Sequence, residues 1–116
     1  MRAQDEIIMD VDVAPVWKRL CRLDEIPRLG ARVAKTVAGN VAVFRTANDD
    51  VFAMRDECAH KQGPLSQGIV HGNTVTCPLH GWKFDLATGE AQAPDAGYTP
   101  CFRVKVEDGN VWLALA

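Results

Sequence analysis

Two short stretches decide how this chain of 116 residues is read: Cys58-Ala59-His60-Lys61-Gln62-Gly63-Pro64-Leu65 and, after sixteen residues that separate His60 from Cys77, Cys77-Pro78-Leu79-His80-Gly81-Trp82. Each brings one cysteine and one histidine close together and is followed by glycine. Thiolate and imidazole are ligands for soft and borderline metal ions, so the two pairs offer four donors: Cys58, His60, Cys77 and His80. Four cysteines in the chain could instead form two disulfides, but only in an oxidising compartment. The place of Cys58 and Cys77 just ahead of a histidine favours metal ligation. A structural zinc shell also takes two Cys and two His, yet common zinc fingers pair Cys with Cys and His with His rather than alternating them.

The chain around these stretches has two textures. Residues 56–97 are loop-rich and hold all three histidines; such composition buries little core by itself, so a metal staple is physically reasonable there. On either side the pattern is all-β. Trp17 to Cys21 reads as a first strand, and Asp24-Glu25-Ile26-Pro27 as a short turn or a single helical turn, closed by the proline. Strands follow at Arg32 to Val37 and Val41 to Thr46, with Gly39-Asn40 as a two-residue hairpin signal. Asn48-Asp49-Asp50 turns the chain into Val51 to Met54. Near the end, Phe102, Val104 and Val106 alternate with Arg103 and Lys105, and Val111, Leu113 and Leu115 repeat the alternation after the turn Asp108-Gly109-Asn110. The expected architecture is one all-β domain over 1–116. An antiparallel barrel or sandwich base (about 15–55 and 98–116) would carry an inserted, loop-built metal-binding subdomain (about 56–97).

Bulk properties exclude several classes. A net charge of −2 gives neither a basic stripe for nucleic acid nor a polybasic segment for a membrane surface. No apolar run approaches a membrane span. The start, Met1-Arg2-Ala3-Gln4-Asp5-Glu6, lacks a basic region followed by an apolar core, so a cytoplasmic location is expected. Residues 1–12 carry Asp5, Glu6, Asp10 and Asp12 and read as a solvated arm.

The two quoted stretches resemble the ligand loops of the Rieske family, and the resemblance extends over almost the whole chain. It implies a [2Fe-2S] cluster with Cys58 and Cys77 on the inner iron and His60 and His80 on the outer one. Exchanging two thiolates for histidines raises the potential above that of an ordinary ferredoxin. Glycines beside the ligands would let backbone N–H groups turn toward the sulfides. Rieske proteins of cytochrome bc complexes carry a further cysteine in each loop, joined as a disulfide, where this chain has Gly63 and Leu79. They also carry hydroxyl side chains where this chain has Trp82 and Phe84. These departures imply a low-potential centre, near the bottom of the range of roughly −150 to +300 mV for such clusters.

Two low-potential subfamilies fit. The stretches Gly63 to Val70 and Asp85 to Ala91, followed by Pro94-Asp95-Ala96-Gly97, resemble the small subunit of cytoplasmic NAD(P)H-dependent nitrite reductase, with Tyr98 where that subfamily often has cysteine. This implies a large partner subunit carrying flavin and sirohaem, on which nitrite becomes ammonium, and no substrate site on this chain. The alternative is the ferredoxin component of an aromatic-ring-hydroxylating dioxygenase, partnered by a ferredoxin reductase and an oxygenase. Among other residues, His71 reads as a solvated loop histidine, and Cys21 and Cys101 as small buried hydrophobes. Trp82 reads equally as lobe packing or partner docking, and Pro94 as part of a loop covering the cluster.

Overall fold

The computed structural model describes residues 16–37, 39–58, 63–79 and 81–114. The arm at residues 1–12, His60, His80 and Leu115 therefore lie outside the described residues. Among the described residues ten strands make three antiparallel sheets. The first has the order β1-β10-β9, from Trp17–Arg22, Asn110–Ala114 and Val104–Glu107. The second has the order β2-β3-β4-β8, from Gly30–Thr36, Gly39–Arg45, Val51–Arg55 and Cys101–Phe102. The third has the order β5-β6-β7, from Ile69–His71, Thr74–Thr76 and Lys83–Asp85. Short 3-10 turns occupy Leu23–Glu25 and Leu65–Gln67. No helix among the described residues is long and apolar enough to cross a membrane.

The second sheet organises the molecule, because β3 is buried on both faces. Its run Val41-Ala42-Val43-Phe44 is apolar without alternation, as a strand covered on two sides requires. Val41, Val43 and Ala53 point to one side and pack with Cys21, Val111 and Leu113 of the first sheet. Ala42, Phe44 and Met54 point to the other side, into a second core built with Val70, Val75 and Phe84 of the third sheet. This alternation is the ordinary two-residue period of a strand, so consecutive residues of one segment serve two separate cores.

The β2–β3 hairpin is closed two residues earlier than Gly39-Asn40 suggests. Thr36 pairs with Gly39 and Ala34 with Val41, which places Gly39 and Asn40 inside β3. Gly39, at φ 103°, supplies the backbone freedom that the strand entry needs, and Thr36 Oγ1 donates to the Gly39 carbonyl at 2.8 Å.

The segment from Phe102 to Val106 is not one strand. β8 pairs with β4 in the second sheet, and β9 pairs with β10 in the first. The chain changes sheets at Arg103, whose carbonyl accepts from Ala114 N–H at 2.9 Å; a strand that switches sheets makes the corner of a sandwich. Phe102 packs into the core beside the first sheet, while Val106 is exposed. Cys21 is buried, with burial pushing its thiol pKa up. Cys101 is exposed, against the expectation of burial. It sits on a two-residue edge strand whose apolar neighbour Phe102 takes the inward position. None of the four cysteines is in a disulfide.

Candidate metal centre

Cys58 follows β4 by three residues, and Cys77 directly follows β6. Both side chains are buried, at 1% and 2% exposure, and both enter the same apolar core with Leu65, Val70, Val75, Phe84 and Leu86. Two loops distant in sequence thus bring two thiols into one dry environment. That is the inner half of the expected donor set. His60 and His80, the outer half, fall outside the described residues. Among the described residues no three His, Cys, Asp or Glu side chains come together as a metal site, as expected when two of four donors are not among them. The described donors fit the cluster: two cysteines outside any disulfide, buried on adjacent loops, are the ligand type an iron–sulfur centre takes from a protein.

Backbone hydrogen bonds fix each loop. In the first, Cys58 N–H donates to Gly63 O at 2.8 Å. In the second, Cys77 N–H donates to Trp82 O at 2.6 Å, and Gly81 N–H donates to Cys77 O at 3.1 Å. Gly81 adopts φ 76°, the left-handed region glycine reaches without strain. Its N–H is therefore engaged in closing its own loop. Gly63 makes the contact between the loops: a β-carbon built on it would lie 2.5 Å from Leu79 Cδ1. Leu79 fits against the glycine, and its outer part is exposed. Pro64 and Pro78 beside it are exposed as well.

Trp82 is partly buried against the core that holds both cysteines, its ring 6.3 Å from that of Phe84, so the packing role of this tryptophan is the one seen. His71 ends β5 on the surface, with Nε2 2.9 Å from Thr76 Oγ1; it is the exposed histidine expected. Pro94 lies in an exposed turn, anchored where Gln92 N–H donates to Lys83 O and Ala91 N–H donates to Gly97 O. Asp56 and Ser66, which the sequence did not single out, are joined by two hydrogen bonds across the first loop. The only sequence hint was their position, just outside the motif on either side.

A profile of the Rieske-like [2Fe-2S] domain family matches residues 16–114. Ferredoxin CarAc of Metapseudomonas resinovorans is 33% identical over 101 residues, covering 85% of this chain and 94% of that protein. The 4beta-methylsterol monooxygenase of Methylococcus capsulatus is 36% identical over 100 residues, covering 74% of this chain but only 27% of that longer protein. Among solved structures, a chain described as the small subunit of an NADPH nitrite reductase superposes with a TM-score of 0.77 at 27% identity, covering 87% of this chain and 99% of that one. The family's cofactor is a [2Fe-2S] cluster, which sets the zinc alternative aside. Since the profile runs from β1 to β10 and the antiparallel sheets agree with it, this chain belongs to the Rieske-like [2Fe-2S] family and is an electron-transfer protein of oxidoreductase systems.

Proposed function

We propose that Cys58 and Cys77 bind one iron of the cluster and His60 and His80 the other, and that the chain passes single electrons from a reductase to an oxygenase. The observation that carries this is the arrival of Cys58 and Cys77, from two loops, in one buried core. The cluster, when bound, supplies the one-electron chemistry; the chain supplies the dry inner wall and the loop geometry. In this reading residues 56–97 form the cluster-binding part, and the two flanking segments form the base. Cys58 and Cys77 are buried on one side, and the exposed Pro64, Pro78 and Leu79 of the same two loops form the face offered to a partner.

The oxygenase partner rests on relatives whose names place them in such systems. They include the anthranilate 1,2-dioxygenase ferredoxin subunit of Burkholderia cepacia, which is 37% identical over 98 residues, and the ferredoxin component of the naphthalene 1,2-dioxygenase system of Pseudomonas aeruginosa, 31% identical over 101 residues. A second reading, the small subunit of an NAD(P)H nitrite reductase with a flavin- and sirohaem-bearing partner, draws on the stretches Gly63 to Val70 and Asp85 to Ala91. The solved-structure likeness noted above supports it too. The two differ in how tightly the partner holds: a shuttle binds weakly and leaves quickly, whereas a subunit stays in a stoichiometric complex.

The test is a tagged-chain pull-down under native conditions, with visible and EPR spectra of the eluate. A coloured small protein emerging alone, active with an added ferredoxin reductase and oxygenase, supports the first reading. Co-purification with a sirohaem polypeptide at fixed stoichiometry overturns it in favour of the second. For the ligands, Cys58→Ser, Cys77→Ser, His60→Ala and His80→Ala are each expected to abolish the Rieske spectrum. Retention of that spectrum in any of the four removes that residue from the donor set.

A further inference from the structure

We propose that Asp56 is the positioning residue of the first ligand loop, acting as a clasp that holds Cys58 through Ser66. The proposal rests on Cys58 being a cluster ligand. Ser66 N–H donates to Asp56 Oδ1 at 2.7 Å, and Ser66 Oγ donates to Asp56 Oδ2 at 2.8 Å. One carboxylate thus ties the end of β4 to the 3-10 turn Leu65–Gln67, bridging ten positions of chain. Between the two anchors lies the loop that starts at Cys58. Both bonds are short and partly buried, conditions under which a carboxylate acceptor binds well.

The rest of the segment shows why a clasp is needed there. Upstream, Asp56 N–H donates to Asn40 O at 2.9 Å, and Arg55 N–H to Pro100 O at 2.9 Å. Glu57 O accepts from the Oγ1 of Thr99, itself buried, at 3.1 Å. Residues 55–57 are thereby held to β3 and to the segment before β8. On the far side of the loop, Leu65 is fully buried in the core shared with Cys58 and Cys77. The Asp56–Ser66 pair is the side-chain link that closes this frame. Partners of this kind, outside the ligands themselves, typically alter metal affinity by roughly 10- to 100-fold.

The experiment uses the full chain with its cluster, comparing the parent with Asp56→Ala, Asp56→Asn and Ser66→Ala. Three quantities are read: the rate at which a strong iron chelator bleaches the visible absorbance, the EPR spectrum of the reduced state, and the melting of the apo chain. Bleaching in Asp56→Ala is expected to be about 10- to 100-fold faster. Ser66→Ala should show a smaller acceleration. Asp56→Asn should recover part of the loss, because its amide oxygen still accepts from Ser66 N–H. The EPR lines of Asp56→Ala should shift or broaden, which loss of stability alone does not cause. Parent-like bleaching and EPR in Asp56→Ala and Ser66→Ala overturn the proposal, even if melting falls. Should Asp56→Ala fail to fold, Ser66→Ala and Asp56→Asn make the same comparison. A parent without a Rieske spectrum would refute the ligand assignment itself, a failure distinct from unchanged variants of a spectroscopically normal parent.

Discussion

At the scale of single residues, glycine does different work at different places in this chain. At Gly89 two demands coincide: φ is 78°, and a β-carbon would overlap the Thr99 carbonyl oxygen, which is fixed backbone. At Gly72 only the first applies, with φ 57° and, among the described residues, no atom beyond its chain neighbours within 4 Å of the added carbon. Gly89→Ala is therefore expected to cost at least about 2 kcal/mol, and Gly72→Ala about 1 kcal/mol. Urea denaturation of the two variants checks the order, and equal midpoints would show that the contact with Thr99 relaxes without cost. Gly63 is a third case, since its neighbour Leu79 is a half-exposed side chain that can swing away. Gly63→Ala should leave global stability within about 0.5 kcal/mol of the parent; a larger loss in the same denaturation series would mean that Leu79 cannot move aside.

At the scale of elements, the turn between β3 and β4 shows how charge and backbone act together. Thr46 is buried, and its Oγ1 accepts from Asn48 N–H and Asp50 N–H. Asp49 adopts φ 67°, and its carboxylate is shared by Arg28 at 3.0 Å and Arg45 at 2.9 Å. The hydrogen bond from Arg28, then that from Arg45, holds the Asp49 pKa below its ordinary 3.8. A depressed carboxylate pKa stabilises the fold above the unfolded value, and that contribution disappears as pH falls through the native value. Asp49→Asn should thus be less stable than the parent at neutral pH, with the two converging as acid protonates Asp49. Because Asp49 and Arg28 are exposed to solvent while Arg45 is mostly buried, the gap should narrow in part in high salt. Thermal melts at neutral pH and at about pH 3 measure it, and a gap independent of pH would refute the ion-pair origin.

At the scale of the whole molecule, the doubly buried β3 divides the interior into two cores that differ in their dependence on the cluster. One, between the first and second sheets, holds no expected ligand. The other contains Cys58 and Cys77 themselves. The third sheet has three strands of three residues each, short for independent stability, so its order should lean on the metal. Removing the cluster is expected to speed amide exchange in β5, β6 and β7 by at least about tenfold while leaving β1, β9 and β10 protected. Exchange measured on holo and apo chains checks this. Uniform deprotection of both cores would mean that the molecule opens as one unit.

Much of this was legible in the sequence because the signals are local. The Cys-His pairs marked the ligand loops, since four donors of those types at such spacing have few other uses. Alternation at Val111 and Leu113 marked a strand, because side-chain direction follows backbone period. What the sequence left open depends on contacts between distant segments. The hairpin closure at Thr36–Gly39 was decided by register across the sheet, and the break at Arg103 by which sheet each half of the segment joins. The exposure of Cys101 was decided by its place on an edge strand. The Asp56–Ser66 clasp had no motif to announce it, for a carboxylate and a hydroxyl become partners only when the loop between them is folded. The proposed ligands were thus read from residue type and spacing, while the placing of Cys58 and Cys77 in one core was decided by tertiary structure, because a pairwise contact across a loop has no counterpart in local pattern.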